Sequence, residues 1–299
     1  MGSVDLRRRV FQTVLALAGC LCVALLSAGH GLAAPAPGGQ GYAALGDSYV
    51  AGPGIPRTSG MPVGCLRSTN NYPSLVRAGL GAPAFSDVSC SGATTANITG
   101  AQTTVTGPNP PQVNAVSAST TLVTLGIGGN DIGFSEIVSQ CLSRSRTEPN
   151  GAACKAYYTA SGSDALAARI ASAGPKVGRV LERIRQRAPR ARVLLVGYPT
   201  ILAPGGAGCP EAPFSAGDTA YLYQTFQKLN SMLQRQAQAA GAQYVDTAAS
   251  SMGHDICQPP GTRWIEGRAP TSPAIPFHPN ALSMRNTANQ VLAAVKSAP

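Results

Sequence analysis

Five short apolar runs alternate along the chain with longer segments of helical patterning: Tyr42 to Gly46, Phe85 to Cys90, Thr121 to Gly126, Arg192 to Gly197 and Gln243 to Asp246. This alternation constrains the fold more than any other feature. Strands separated by helices need crossover connections, so they build a parallel sheet covered on both faces. The clearest helical stretches are Tyr72 to Leu80, Ala165 to Ala188 and Ala220 to Ala240. Within the second, Gly174-Pro175 removes a backbone donor from a helix interior and predicts a kink or a split. Near the C-terminus Met284, Ala288, Val291 and Val295 recur at helical spacing and mark the buried face of a closing helix. The Gly- and Pro-rich stretches Pro53 to Gly64, Gly107 to Pro111, Pro204 to Pro213 and Pro259 to Pro276 read as long ordered loops. No internal repeat is visible, and nothing in the middle of the 299 residues reads as a dividing linker. One folded domain over 41–299 is expected, behind a short linker at 34–40.

Residues 1–33 read as a signal peptide. Arg7, Arg8 and Arg9 precede an apolar run from Val10 to Ala28, and Gly31-Leu32-Ala33 offers small residues for cleavage. The run is also about long enough to cross a bilayer, which leaves a retained anchor as an alternative. Leu17-Ala18-Gly19-Cys20 resembles a lipobox, which would anchor the chain by lipid through Cys20. Against that, Leu21 to Leu26 stays apolar where a lipoprotein usually turns polar. Arg8-Arg9-Val10-Phe11 has a faint twin-arginine character.

Removing the segment takes away Cys20 and Cys22 and leaves six cysteines, an even number that reads as a disulfide framework in an exported chain. Six thiols allow 15 pairings. No close Cys/His pairing has zinc-site spacing, so no metal site is expected; nor is an organic cofactor expected. The formal charge is +10, and the segment's three arginines against Asp5 leave +8 on the rest. Only 12% of residues are charged and 5% aromatic, poor material for stacking bases. Nucleic acid is therefore not expected as a partner, while an anionic membrane or envelope surface is compatible with the charge.

Gly46-Asp47-Ser48-Tyr49 follows the first apolar run and places a hydroxyl on a strand-to-helix turn. Cys90-Ser91-Gly92 follows the second run and Gly128-Gly129-Asn130-Asp131 the third. Ligand sites in open parallel sheets lie beyond the carboxyl ends of the strands, so Ser48, Gly92 and Asn130 converge on one edge. Phe277-His278-Pro279-Asn280 brings a histidine directly before the closing helix, with Pro279 a good first helical residue. A serine, a base able to take its proton, and amide donors for a developing oxyanion are what acyl transfer requires.

In the order Ser48, Gly92, Asn130, His278 the chain resembles the SGNH hydrolases, or GDSL lipases and esterases, and within them the secreted, disulfide-stapled bacterial branch. The resemblance spans nearly the whole chain after the signal. It implies an α/β fold, a three-layer α/β/α sandwich with a five-stranded parallel sheet of flavodoxin-like form. It also implies a serine esterase or lipase with Ser48 as nucleophile and His278 as base, and an oxyanion hole from the Ser48 and Gly92 N–H groups and the Asn130 amide. The implied disulfides are Cys65 with Cys90, Cys141 with Cys154 and Cys209 with Cys257. Three disulfides favour ordinary unfolded export over the twin-arginine route. A monomer acting on small-molecule or lipid esters is expected, outside the cell or in its envelope.

One position departs from the pattern: many members have Asp three residues before the histidine, and here it is Ile275. A main-chain carbonyl near Ile275 is then the expected orienter of His278, with Asp255 as a side-chain substitute. His254 is expected in the site wall, and Asp47 and Asp131 in structural roles beside the reacting groups. The alternatives are a polysaccharide O-acetyl esterase or acyltransferase of the envelope, and, from another class, an inactive lipid- or glycan-binding module.

Overall fold

The computed structural model of the protein describes residues 41–206 and 208–297. The expected signal peptide, the linker at 34–40, Cys20 and Cys22 lie outside the described residues.

The chain builds β1 (Tyr42–Gly46), α1 (Ser48–Ala51), α2 (Tyr72–Leu80), β2 (Phe85–Asp87), α3 (Thr95–Thr99), β3 (Gln102–Thr104), β4 (Gly107–Asn109), β5 (Leu122–Gly126) and α4 (Phe134–Thr147). It continues with α5 (Ala153–Thr159), α6 (Ala165–Arg187), β6 (Arg192–Val196), α7 (Ala216–Ala239), β7 (Gln243–Val245), α8 (Thr247–Ser250) and α9 (Ala281–Lys296). The main sheet has the order β2-β1-β5-β6-β7 and every pair in it is parallel. The five expected strands are these five. Counted among themselves they run 2-1-3-4-5, the flavodoxin order, giving a three-layer α/β/α fold.

Helices cover both faces, so the strands are apolar on both sides rather than alternating. Ala43, Leu45, Val123, Leu125, Val193 and Leu195 pack in one core with α6 and α7 residues such as Val177, Leu181, Leu229 and Leu233. The intervening Tyr42, Ala44, Leu122, Leu194 and Val196 face a second core with Val76, Met284, Ala288, Val291 and Val295. The four apolar positions read in the closing helix are all buried.

Several expectations shift. The second strand ends at Asp87 instead of Cys90, because the Asp87 carboxylate takes the Ser89 N–H (3.1 Å), the Ser89 hydroxyl (2.6 Å) and the Asn71 amide (2.6 Å) and bends the chain. Val88 and Cys90 still donate to Ala44 and Gly46. The stretch expected as a loop at Gly107–Pro111 contains β4, paired antiparallel with β3. Pro175 does not split α6, which runs as one helix of 23 residues. Pro175 and Ala171 both lie exposed, so the carbonyl left without a donor can turn to water. Pro279 is not helical: Asn280 caps α9 by accepting from the N–H groups of Leu282 and Ser283, while Pro279 bridges Ile265.

The disulfides join Cys65 to Cys90, Cys141 to Cys154 and Cys209 to Cys257. The first ties the loop after α1 to the segment carrying Gly92, and the last ties the Pro204 to Pro213 loop to the segment after α8. With sequence separations of 25, 13 and 48 residues, each removes roughly 3 to 4 kcal/mol of unfolded-chain entropy in the loop-closure model.

Candidate active site

Strand β1 sits between β2 and β5, so the segments leaving these three strands lie side by side at the sheet's carboxyl edge. The chain reverses its direction across the sheet here, which opens a crevice between the loops. Gly46 ends β1 at φ 150°, and a Cβ there would stand 2.3 Å from the Gly126 carbonyl oxygen and 2.4 Å from Val50 Cγ2. Only glycine allows β1 and β5 to close on the turn. Buried Gln112 holds the same point, accepting from the Gly46 N–H (2.7 Å) and donating to its carbonyl (2.9 Å). Asp47 then caps α1, accepting from the Tyr49 N–H at 2.9 Å, and Ser48 becomes the first helical residue.

The Ser48 Oγ lies 2.9 Å from His278 Nε2, and His278 Nδ1 lies 2.8 Å from the carbonyl oxygen of Pro276. A carbonyl can only accept, so it holds the proton on Nδ1 and leaves Nε2 to accept from the Ser48 hydroxyl. The carbonyl that meets the ring is thus one residue later than Ile275, because positive φ at Phe277 (60°) folds the chain back on Pro276. Ile275 instead donates its N–H to Pro53. Asp255 does not reach the ring; its oxygens accept from the Cys257 N–H and the Gln258 amide, both at 3.0 Å. His254 stacks on Trp264 with ring centroids 3.7 Å apart and pairs Nδ1 with the Thr262 carbonyl, away from Ser48. Burial holds the His278 imidazole below its ordinary value, since the charged ring loses water, and the Pro276 carbonyl opposes this more weakly.

Three amides on the segments leaving these neighbouring strands are the candidate oxyanion donors. Among the described residues the N–H groups of Ser48 and Gly92 have no protein acceptor. Gly92 takes φ 80°, the left-handed region that glycine enters without strain. The Asn130 amide gives one hydrogen to the Ala93 carbonyl (2.9 Å), which fixes the plane of the group and leaves the second hydrogen available.

A buried polar frame supports this arrangement, and most of it was not read from the sequence. The Tyr198 hydroxyl donates to Asp47 Oδ2 (2.5 Å) and accepts from the Gly129 N–H (2.7 Å), joining the nucleophile turn to the residue before Asn130. Burial pushes the Asp47 carboxyl up to about 7, against the pull of Tyr198 and the Tyr49 N–H. The Tyr49 hydroxyl donates to the Phe277 carbonyl (2.8 Å), and its ring lies 5.3 Å from that of His278. Glu266 exchanges backbone bonds with Phe277 and His278, and its buried carboxylate accepts from Asn280 (2.7 Å) and from Thr271 (2.8 Å). Tyr198 lies two residues past the end of β6, so the strand-end rule could have found it; Glu266 left no local signal. Asp131 holds α3 by accepting the Thr95 N–H (2.9 Å) and hydroxyl (2.5 Å). Among the described residues no group of three or more His, Cys, Asp or Glu side chains is placed to hold a metal ion.

The model of the GDSL-like Lipase/Acylhydrolase family matches residues 44–285. The chain belongs to that family. It is 38% identical to Lipase 2 of Streptomyces coelicolor over 290 residues, 95% of this chain and 96% of that relative. Among solved structures it is similar to phospholipase A1 from Streptomyces albidoflavus NA297, with a TM-score of 0.70 and 28% identity over 86% of this chain and 99% of that one. The extracellular lipase of Streptomyces rimosus matches with a TM-score of 0.68 and 27% identity, over 86% of this chain and 100% of that one. As a member of this family the protein is a serine ester hydrolase with the SGNH fold.

Proposed function

We propose that the protein hydrolyses carboxylic esters of lipids through an acyl-enzyme on Ser48, with His278 as general base and acid. The observation that carries this reading is the hydrogen-bonded relay from Ser48 Oγ through the imidazole to the Pro276 carbonyl. His278 Nε2 removes the hydroxyl proton as Oγ attacks the ester carbonyl, and the carbonyl oxygen becomes an oxyanion facing the Ser48 and Gly92 N–H groups and the Asn130 amide. Collapse of that intermediate breaks the bond to the alcohol, which leaves with the proton from Nε2. Water then enters, loses a proton to Nε2 and attacks the acyl carbon; collapse returns the proton to Ser48 and frees the acid. A neutral carbonyl in the orienting place fixes the ring and its tautomer, and its dipole stabilises the imidazolium without a buried carboxylate.

Lipid esters are supported as substrates by the relatives named as lipases and by the phospholipase A1 likeness. Export with cleavage of residues 1–33 is part of the same proposal; three disulfides suit an oxidising compartment, and one structural relative is an extracellular lipase. The test is Ser48→Ala with a fluorophosphonate probe and an ester panel from acetyl to long acyl, phospholipids and acetylated glycans included. Expected are labelling of the wild type at Ser48 and a fall in kcat of ~10³- to 10⁶-fold in the folded variant. A variant above a tenth of wild-type activity would overturn the mechanism, and preference for acetylated glycans would overturn the substrate class.

A further inference from the structure

Beside the candidate oxyanion hole, between α3 and α6, the surface opens into a cavity of about 430 Å³. Asn130 forms part of its wall, so the cavity reaches the residue that would face the ester carbonyl. Thr94 and Thr95 line it from the α3 side, Asp131 lies beside Asn130, and α6 contributes Lys176 and Arg179. The two cations stand three residues apart on one helix and therefore share a face.

Neither cation forms an ion pair among the described residues. Asp131, the carboxylate in the wall, accepts the Thr95 N–H and hydroxyl and forms no ion pair with either cation, so the lining keeps an excess of one positive charge. Two unpaired like charges at this spacing repel each other, and an anion seated between them would relieve the repulsion. Ala96 and Val180 also line it, so the cationic pair, and not a lack of apolar surface, distinguishes this cavity. The alcohol side of an ester fits better when it carries an anion: a guanidinium can grip phosphate oxygens with two parallel donors, and a lysine adds a compact charge. The volume falls in the range of pockets that take small ligands.

We propose that this cavity is a headgroup subsite, which selects esters whose alcohol portion bears a phosphate, with Arg179 and Lys176 on the phosphate and the scissile carbonyl at Asn130. The proposal rests on the reading of Ser48 and Asn130 given above. It separates specificity from chemistry, since neither cation touches the reacting atoms.

The test measures kcat and KM on the exported protein with two soluble short-chain esters below their aggregation concentrations. One is dihexanoyl phosphatidic acid and the other is neutral dihexanoylglycerol. Replacing both cations, Lys176→Glu with Arg179→Glu, should lower kcat/KM for the phosphate ester by ~10- to 100-fold, mainly through KM. Hydrolysis of the neutral ester should stay within about twofold, which also certifies the fold; Lys176→Gln with Arg179→Gln serves if the charge reversal misfolds. Arg183→Glu with Arg190→Glu makes the same charge change at two other exposed positions and should leave the selectivity intact. Equal losses on both esters, no loss on either, or the same selective loss in this control pair would overturn the subsite. Ser48→Ala run in parallel keeps the two readings apart. Activity surviving there defeats the nucleophile assignment, whereas a dead Ser48→Ala beside unchanged selectivity in the Lys176/Arg179 variants defeats only the subsite.

Discussion

Replacing Tyr198 by Phe removes one hydroxyl and with it two buried hydrogen bonds, to Asp47 Oδ2 at 2.5 Å and from the Gly129 N–H at 2.7 Å. The Gly129 N–H is left without an acceptor at about 1 to 3 kcal/mol, and a bond to a charged group is worth about 1.5 to 3 kcal/mol, so a loss of roughly 3 to 5 kcal/mol is expected when Asp47 is ionised. For a domain of this size that lowers Tm by roughly 6 to 20 °C. The loss should depend on pH. The Asp47 carboxyl stands raised in the folded protein, from 3.8 to about 7, so its contribution to stability is fully present below the unfolded value and is lost as pH rises through about 7. Tyr198 pulls the Asp47 value down, and its removal raises it further. At pH 6 wild type and variant both carry largely protonated Asp47, whereas at pH 8.5 only the wild type retains the phenol donor for the carboxylate. Denaturant unfolding at the two pH values should therefore show a larger deficit at pH 8.5. Because Gly129 precedes Asn130, kcat on a soluble ester should also fall about tenfold with little change in KM, as for an amide needed mainly in the transition state. A deficit equal at both pH values, or unchanged kcat alongside a clear loss of stability, would refute the proposed coupling of Asp47 to the oxyanion side.

Asn130→Ala should cost ~10² to 10³ in kcat with a smaller change in KM, by steady-state kinetics on the same ester; a loss confined to KM would make Asn130 a binding contact instead. Asp255→Asn should lower kcat less than about tenfold, because its carboxylate serves Cys257 and Gln258 and not the ring, whereas His278→Ala should fall near the Ser48→Ala baseline. The rate should rise with pH as His278 loses its proton, with an inflection below the ordinary histidine value of 6.5, as its burial requires. An inflection above that value would speak against a buried, carbonyl-oriented ring.

The sequence alone pointed to the parallel sheet, since helical segments separate most of the five apolar runs, and four of those runs match the observed strands to within a residue at each end. It also singled out Ser48, Gly92 and Asn130 by their place just past strands, and His278 by its block before the closing helix, because both are local properties. The short β3–β4 hairpin escaped notice because its strands carry Gly and Pro and little apolar alternation. The continuity of α6 through Pro175 depended on whether the freed carbonyl could face solvent, which is decided by packing. The same division runs through the site. Which carbonyl orients His278 turns on one positive φ at Phe277, whose N–H donates to the Glu266 carbonyl and whose own carbonyl accepts from the Tyr49 hydroxyl, 228 residues away in the chain. Tyr198 and Glu266 are separated from the groups they hold by 151 residues, in the Tyr198–Asp47 bond, and by 14, in the Glu266–Asn280 bond. Side-chain hydrogen bonds between residues brought together only by the sheet and its crossovers leave no periodic trace, so only the tertiary structure could decide them.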